Sequence, residues 1–236
     1  MEYVEPIRNR ADVVSVAEYL GRWNPVYYLL FEFGIHTGLR VSDLRRLTFG
    51  DIIEEFKSGA RRWRKEIWIL EQKTRKKGKA RTITNRKRII RIKGTELEYV
   101  IKSQLSPISQ WDLSEPLFPS RRLGENGETR ALGRIRIWEI LRMAAEACGI
   151  EERVGTHTMR KTFGYHFYRK TRDIAVLQKI FGHSTPEITL RYIGITQDDH
   201  AAAYQTVTYR TKKAFPVRAK DTGVFQKPLL TSQKQA

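Results

Sequence analysis

The chain has a single cysteine, Cys148. That excludes a disulfide framework and any multi-cysteine metal site within one chain. Long apolar runs are missing too. None approaches the ~20 uncharged residues needed to span a bilayer, and the opening MEYVEPIRNR lacks the apolar centre of a secretory signal. There is no internal repeat, no low-complexity block, no Gly-rich phosphate loop and no His/Cys/acid cluster, so neither a metal nor a nucleotide cofactor is expected. Acids are scarce: 26 Asp and Glu stand against 44 Lys and Arg, for a formal charge of +18. The expectation is a soluble, intracellular (cytoplasmic) protein with no membrane contact and a strong attraction to polyanions.

What is present suffices for a folded core. Hydrophobic residues make up 40% of 236 positions and aromatics 11%, which excludes a wholly disordered chain. The charge is concentrated. Between Lys57 and Lys93 sixteen Lys or Arg face two acids, Glu66 and Glu71, so this segment carries +14. From Arg210 onward seven basic residues face one acid, Asp221. So dense a zone reads as a nucleic-acid footprint, because its charges repel one another unless a polyanion neutralises them. The bland alternative is a solvated surface.

The first clear helix is expected to open at Asn24-Pro25, a good cap followed by a residue suited to the first helical position, and to run through Val26–Phe33. Ser42 can cap a second helix carrying Asp43, Leu44 and Leu47 and ending near Gly50. Glu66–Leu70, Arg81–Thr84 and Arg88–Ile92 read as strands, with Lys76-Lys77-Gly78-Lys79 as the turn of a basic hairpin. Helices then dominate: Glu96 to about Gln104 after Thr95, Ile135 to Cys148 before Gly149, and one from Thr156 or His157 through Tyr168. Three more follow: Ile174–Phe181 between Asp173 and Gly182, one from Ser184-Thr185-Pro186 to about Gly194, and Gln197 to about Tyr204. The fold class is α+β, mostly helical with a small antiparallel sheet.

Three stretches carry chemistry: Thr37-Gly38-Leu39-Arg40-Val41-Ser42-Asp43-Leu44, then His157-Thr158-Met159-Arg160, then Gly182-His183-Ser184 followed by Leu190-Arg191-Tyr192. His157 and Arg160 are three apart and share one helix face. Arg160 precedes His183 by 23 positions and His183 precedes Tyr192 by nine. The ordered set resembles the tyrosine recombinases, including phage integrases and the Xer recombinases, from roughly Asn24 to Gln205. The resemblance implies a catalytic set of Arg40, Lys73, His157, Arg160, His183 and Tyr192, with Asp43 as a helper that orients Arg40 or its loop. Each residue has a plainer reading when taken alone. Arg40 could pair on the surface, His157 and Arg160 could be an exposed helix pair, His183 could end a helix, and Tyr192 could simply pack. Tyr165, Tyr168, Tyr204 and Tyr209 are rival nucleophiles. Lys73 sits at the family's lysine position, with Lys76, Lys77 and Lys79 as competitors. His36, His166 and His200 fit no part of the pattern.

Elementary chemistry assigns the same roles. A phosphodiester gains negative charge in a five-coordinate transition state, and two guanidiniums, Arg40 and Arg160, can bind its non-bridging oxygens. A tyrosine can form a phosphoester and later leave it, but its ordinary pKa of about 10 calls for help to deprotonate. His157 can supply that help, His183 can bond a phosphate oxygen, and a hairpin lysine can protonate the departing 5′-oxygen. Arg75, Lys76, Lys77, Lys79 and Arg81 are expected to track DNA phosphates. The implied activity is DNA breakage and rejoining through a 3′-phosphotyrosyl intermediate, for integration or excision of a mobile element, with dimer resolution second. A type IB topoisomerase-like relaxation and a non-enzymatic DNA-binding protein are the alternatives. Expected partners are double-stranded DNA, further copies of the chain as a dimer or tetramer on DNA, and accessory DNA-binding proteins. The expected domains are an N-terminal arm over residues 1–23, a catalytic domain over 24–209 and a basic, flexible tail over 210–236. The helical DNA-binding domain that family members usually carry ahead of the catalytic domain is not expected here.

Overall fold

In the computed structural model, which describes residues 4–70 and 87–195, an irregular segment leads into helix α1, Arg10–Trp23. This helix corrects the expectation that the first element opens at Asn24. Asn9 caps it, its side chain accepting from the Ala11 N–H at 2.9 Å. The run holds Val13, Val14 and Val16, whose β-branching dilutes the helical signal, and only Val16, Ala17 and Leu20 are buried.

Helix α2, Pro25–Thr37, is the centre of the fold. Asn24 accepts from Val26 N–H at 2.8 Å and Pro25 fits the first position, as the sequence implies. Tyr27, Leu29, Leu30, Phe31 and Phe33 are all buried, so the helix is apolar nearly all round. It ends at Gly38 in the left-handed region, φ 61°. The next helix is shorter than expected. It covers only Val41–Leu44 (α3), with Arg40 rather than Ser42 at its cap. Thr48 and Asp51 then bond reciprocally around a 3-10 turn, Phe49–Asp51.

Strands β1, Ile53–Glu55, and β2, Arg61–Trp63, pair antiparallel and add to the expected strands. Strands β3, Glu66–Leu70, and β4, Lys87–Arg91, pair antiparallel with Ile67 opposite Ile90 and Ile69 opposite Arg88. Ile67 and Ile69 face the core while Trp68 faces out, the period-2 alternation of a half-buried sheet. The expected hairpin tip, the Arg81–Thr84 strand, the Gln197–Tyr204 helix and the tail lie outside the described residues.

Five helices complete the domain: α4 Glu96–Leu105, α5 Arg134–Ala147, α6 Thr158–Thr171, α7 Ile174–Phe181 and α8 Pro186–Tyr192. The described residues thus hold eight helices and two small antiparallel sheets. Helix α2 packs on α1, α4 and α6, and α1 also packs on α5. Two apolar clusters result. The larger spans α1 through α5 and the sheets and includes Met159 of α6. The smaller is built on Leu177, Phe181 and Ile193, with Phe163, Phe167, Tyr168 and Tyr192 packed against it. Helix α6 belongs to both.

Candidate active site

Arg160 stands where the two clusters meet. It is 2% exposed, among the largest fully buried side chains. Its Nη1 donates to the Gly38 carbonyl and its Nη2 to the Phe181 carbonyl at 2.9 Å. Both acceptors end helices: Gly38 terminates α2 and Phe181 is the last residue of α7. Helix C-termini carry partial negative charge, which offsets the cost of a buried cation. The guanidinium also lies 4.2 Å from the Phe181 ring centre. Arg40 reaches the same corner from the α2–α3 loop, its Nη2 3.4 Å from the Phe181 carbonyl. Two cations from distant parts of the sequence therefore converge on one carbonyl.

The α2–α3 loop is fixed by Gly38. A Cβ there would collide with Phe163 Cδ1, and φ +61° disfavours any side chain. Arg88 of β4 donates to the Thr37 carbonyl beside it. Asp43, 1% exposed, pairs with Arg46 at 2.9 Å, and its N–H donates to the Arg40 carbonyl. Arg46 also donates to the Leu70 carbonyl at the end of β3.

Tyr192 closes α8, and its hydroxyl lies 3.1 Å from His157 Nδ1. Its ring packs edge-on against His183 at 5.1 Å and Phe181 at 5.5 Å between centroids. Burial raises its pKa above the usual 10, while the charges of Arg160 and Arg40, and a hydrogen bond from Arg160, pull it down. His157, which caps α6, is held below its ordinary 6.5 by burial and then by Arg160, Arg134, Arg40 and Lys161. His183 follows Gly182, itself left-handed at φ 64°, and its Nδ1 lies 3.1 Å from the Thr189 hydroxyl. A near-neutral imidazole touching a phenol, beside two guanidiniums, is an arrangement that can deprotonate a nucleophile next to a bound anion.

The phage integrase family model matches residues 12–198. The chain belongs to the phage integrase family. Among curated members, this integrase-family chain is 40% identical over 205 residues to the probable integrase/recombinase YoeC of Bacillus subtilis (strain 168), a match covering 87% of this chain and 97% of that one. It is 27% identical over 161 residues to tyrosine recombinase XerD of Shewanella oneidensis, covering 68% of this chain and 46% of XerD, so it spans about half of that relative's length. Its fold matches the crystal structure of XerA recombinase with a TM-score of 0.60 at 18% identity, over 89% of this chain and 66% of that one. A lambda integrase dimer bound to a COC′ core site matches at 0.55 and 14% identity, over 83% and 51%. The α+β, mostly helical tyrosine recombinase catalytic fold is therefore the one this family member has.

Of the residues singled out in the sequence, Arg40, His157, Arg160, His183 and Tyr192 come together in this integrase fold, and Asp43 lies one turn beyond Arg40. Lys73, Arg75, Lys76, Lys77, Lys79 and Arg81 lie outside the described residues, as do Tyr204 and Tyr209. Tyr165 and Tyr168 pack against the smaller cluster. Several members of the basic zone serve the fold itself. Arg61 bonds Glu55 and the Trp111 carbonyl, Arg62 bonds Glu54, Arg64 bonds the Gly50 and Ile53 carbonyls, and Arg88 bonds that of Thr37. Composition alone counts these with the footprint and misses their role. Sequence reasoning also passed over Lys161, Arg134 and Arg46. Lys161 adjoins Arg160 in a buried stretch of α6, and that adjacency was the available signal.

Proposed function

We propose that this tyrosine recombinase cuts and rejoins double-stranded DNA by transesterification through Tyr192, in the integration or excision of a mobile element. The observation that carries the reading is the 3.1 Å contact of the Tyr192 hydroxyl with His157 at the corner Arg40 and Arg160 enter. Arg40 and Arg160 hold the non-bridging oxygens of the scissile phosphate, and His183 adds a hydrogen bond. The Tyr192 oxygen attacks phosphorus and its proton passes to His157. The bond from phosphorus to the 5′-oxygen breaks, leaving a 3′-phosphotyrosyl link, and Lys73 protonates the 5′-oxygen. A 5′-hydroxyl from the same or a partner strand then attacks the phosphotyrosine, and the protons return. One phosphoester replaces another, so no external energy source is required. Preorganised positive charge carries the largest part of the catalysis. Asp43, through its pairing with Arg46 and its place in α3, holds the loop that aims Arg40.

Double-stranded DNA as partner is supported by the +14 segment between Lys57 and Lys93 and by the DNA-bound lambda integrase neighbour. Assembly of several copies on DNA is supported by that neighbour's dimer and by a lambda integrase tetramer bound to a Holliday junction, TM-score 0.54. The test is a suicide substrate with a nick beside the cut, which loses a short fragment after cleavage and traps the covalent complex. Peptide mapping should place the DNA on Tyr192. Absence of any adduct, or an adduct on another tyrosine, would overturn the assignment.

A further inference from the structure

Lys161 follows Arg160 on α6 and is 4% exposed, a degree of burial lysine seldom adopts. Its Nζ stands 5.3 Å from the centre of the Tyr192 ring, over the ring face. Burial pushes the ammonium's pKa down, and Glu5, on the segment ahead of α1, opposes that. Other charges bear on the neighbouring groups. Arg160 of the same helix, Arg134 of α5, Arg40 and Lys161 itself act on His157, and Arg160 and Arg40 act on Tyr192. His183 lies against the Tyr192 ring edge.

We propose that Lys161 is a positioning residue for the nucleophile: its ammonium, held over the face of Tyr192, keeps the ring against His157 and favours the phenolate beside a neutral imidazole. When a tyrosine ionises, its charge spreads from oxygen into the ortho and para ring carbons. A cation over the face therefore gains more from the phenolate than from the phenol. Arg160 and Arg40 act at the oxygen end, and Lys161 acts at the ring. Its charge also resists protonation of His157 and so keeps the acceptor available. This inference rests on Tyr192 being the nucleophile.

The experiment is single-turnover adduct formation on the nicked substrate from about pH 5.5 to 9, with DNA affinity measured alongside. Lys161→Met keeps an unbranched side chain one atom shorter and removes the charge, and Lys161→Arg keeps the charge. The Met variant should be on the order of tenfold slower at pH 7, with the acid limb of its profile displaced to higher pH and its affinity unchanged. The Arg variant should return the limb toward the wild-type position. A Met variant slowed by one factor at every pH, or not slowed at all, overturns the inference, as does an Arg variant whose limb coincides with that of Met. Should the Met variant not fold by circular dichroism, Lys161→Gln reads the same limb, and a wild-type limb there is equally fatal. Wild-type protein that forms no adduct on Tyr192 would instead sink the functional reading, a separate result.

Discussion

The Tyr192 hydroxyl is under opposing demands. Burial keeps it protonated, and two guanidiniums favour its anion. Tyr192→Phe removes that hydroxyl with its hydrogen bonds to His157 and from Arg160, a net loss of about 1–2 kcal/mol in stability. Folding and DNA binding should survive while the covalent adduct vanishes on denaturing gels. An adduct that persists in this variant and disappears on changing Tyr204 or Tyr209 would move the nucleophile. Arg160→Ala does more, because it strips the Gly38 and Phe181 carbonyls of a buried partner. Cleavage should fall about 10²-fold or more, with stability lower by roughly 2–3 kcal/mol in urea melts. Arg40→Ala, only half-buried, should lose cleavage on the same scale with a smaller stability change. A rate within a few-fold of wild type would exclude Arg40 from the clamp. His157 and His166 are both held below 6.5, chiefly by burial. The unfolded chain therefore binds protons that the folded chain refuses. Stability from this source is full above about pH 6.5 and is lost as pH falls through that value toward the depressed ones. Melting temperature should drop over that window, and less steeply in a His166→Gln variant.

At the scale of elements, the legible parts were those with chemical punctuation. Asn24-Pro25, Asp173 with Gly182, and Thr185-Pro186 each pair a cap with a stop or an early proline, and α2, α7 and α8 begin or end on them. Helix α1 lacks a stop of that kind, since Asn24 serves as its end and as the start of α2. Strands β1 and β2 are three residues each, too short to show alternation. Helix α3 ends early because Thr48 and Asp51 offer the backbone a rival turn. The five residues that converge at the candidate site were legible as an ordered motif. Their hold on one another was not, because Arg160 is gripped by main-chain carbonyls that no residue type announces. The loop glycine provides a test. Gly38→Ala faces both positive φ and a collision with Phe163, so it should cost more than about 1 kcal/mol and reduce cleavage. Gly34→Ala has an ordinary helical backbone, and its nearest neighbour is the Met159 side chain. Replacing Met159 by Gly, which removes the Cβ 2.8 Å away as well as the sulfur, should relieve the clash of Gly34→Ala in a double variant, whereas Phe163→Ala should leave Gly38→Ala strained by its backbone angle.

At the scale of the whole molecule, the positive charge divides into two kinds. Arg61, Arg62, Arg64 and Arg88 are engaged with acceptors of the protein. Lys76, Lys77 and Lys79 belong to the densest basic run of the sequence. Each phosphate a cation neutralises releases close to one counterion, so log affinity falls steeply with log salt. Replacing Lys76, Lys77 and Lys79 by Ala should flatten that slope by about one unit for each phosphate left without its cation, with little change in melting temperature. Arg64→Ala should do the reverse, lowering stability and leaving the slope nearly intact. Equal slopes for both variants would remove the distinction.

The grip on Arg160 also bears on how the site can change over generations. A carboxylate partner disappears with one codon change, but every amino acid brings a carbonyl. Substitutions at position 181 keep the acceptor so long as α7 still ends there, whereas position 38 is confined by its backbone angle. The tolerance of the clamp to drift is thus set by where two helices stop, and insertions or deletions that move those stops are the changes that selection must remove.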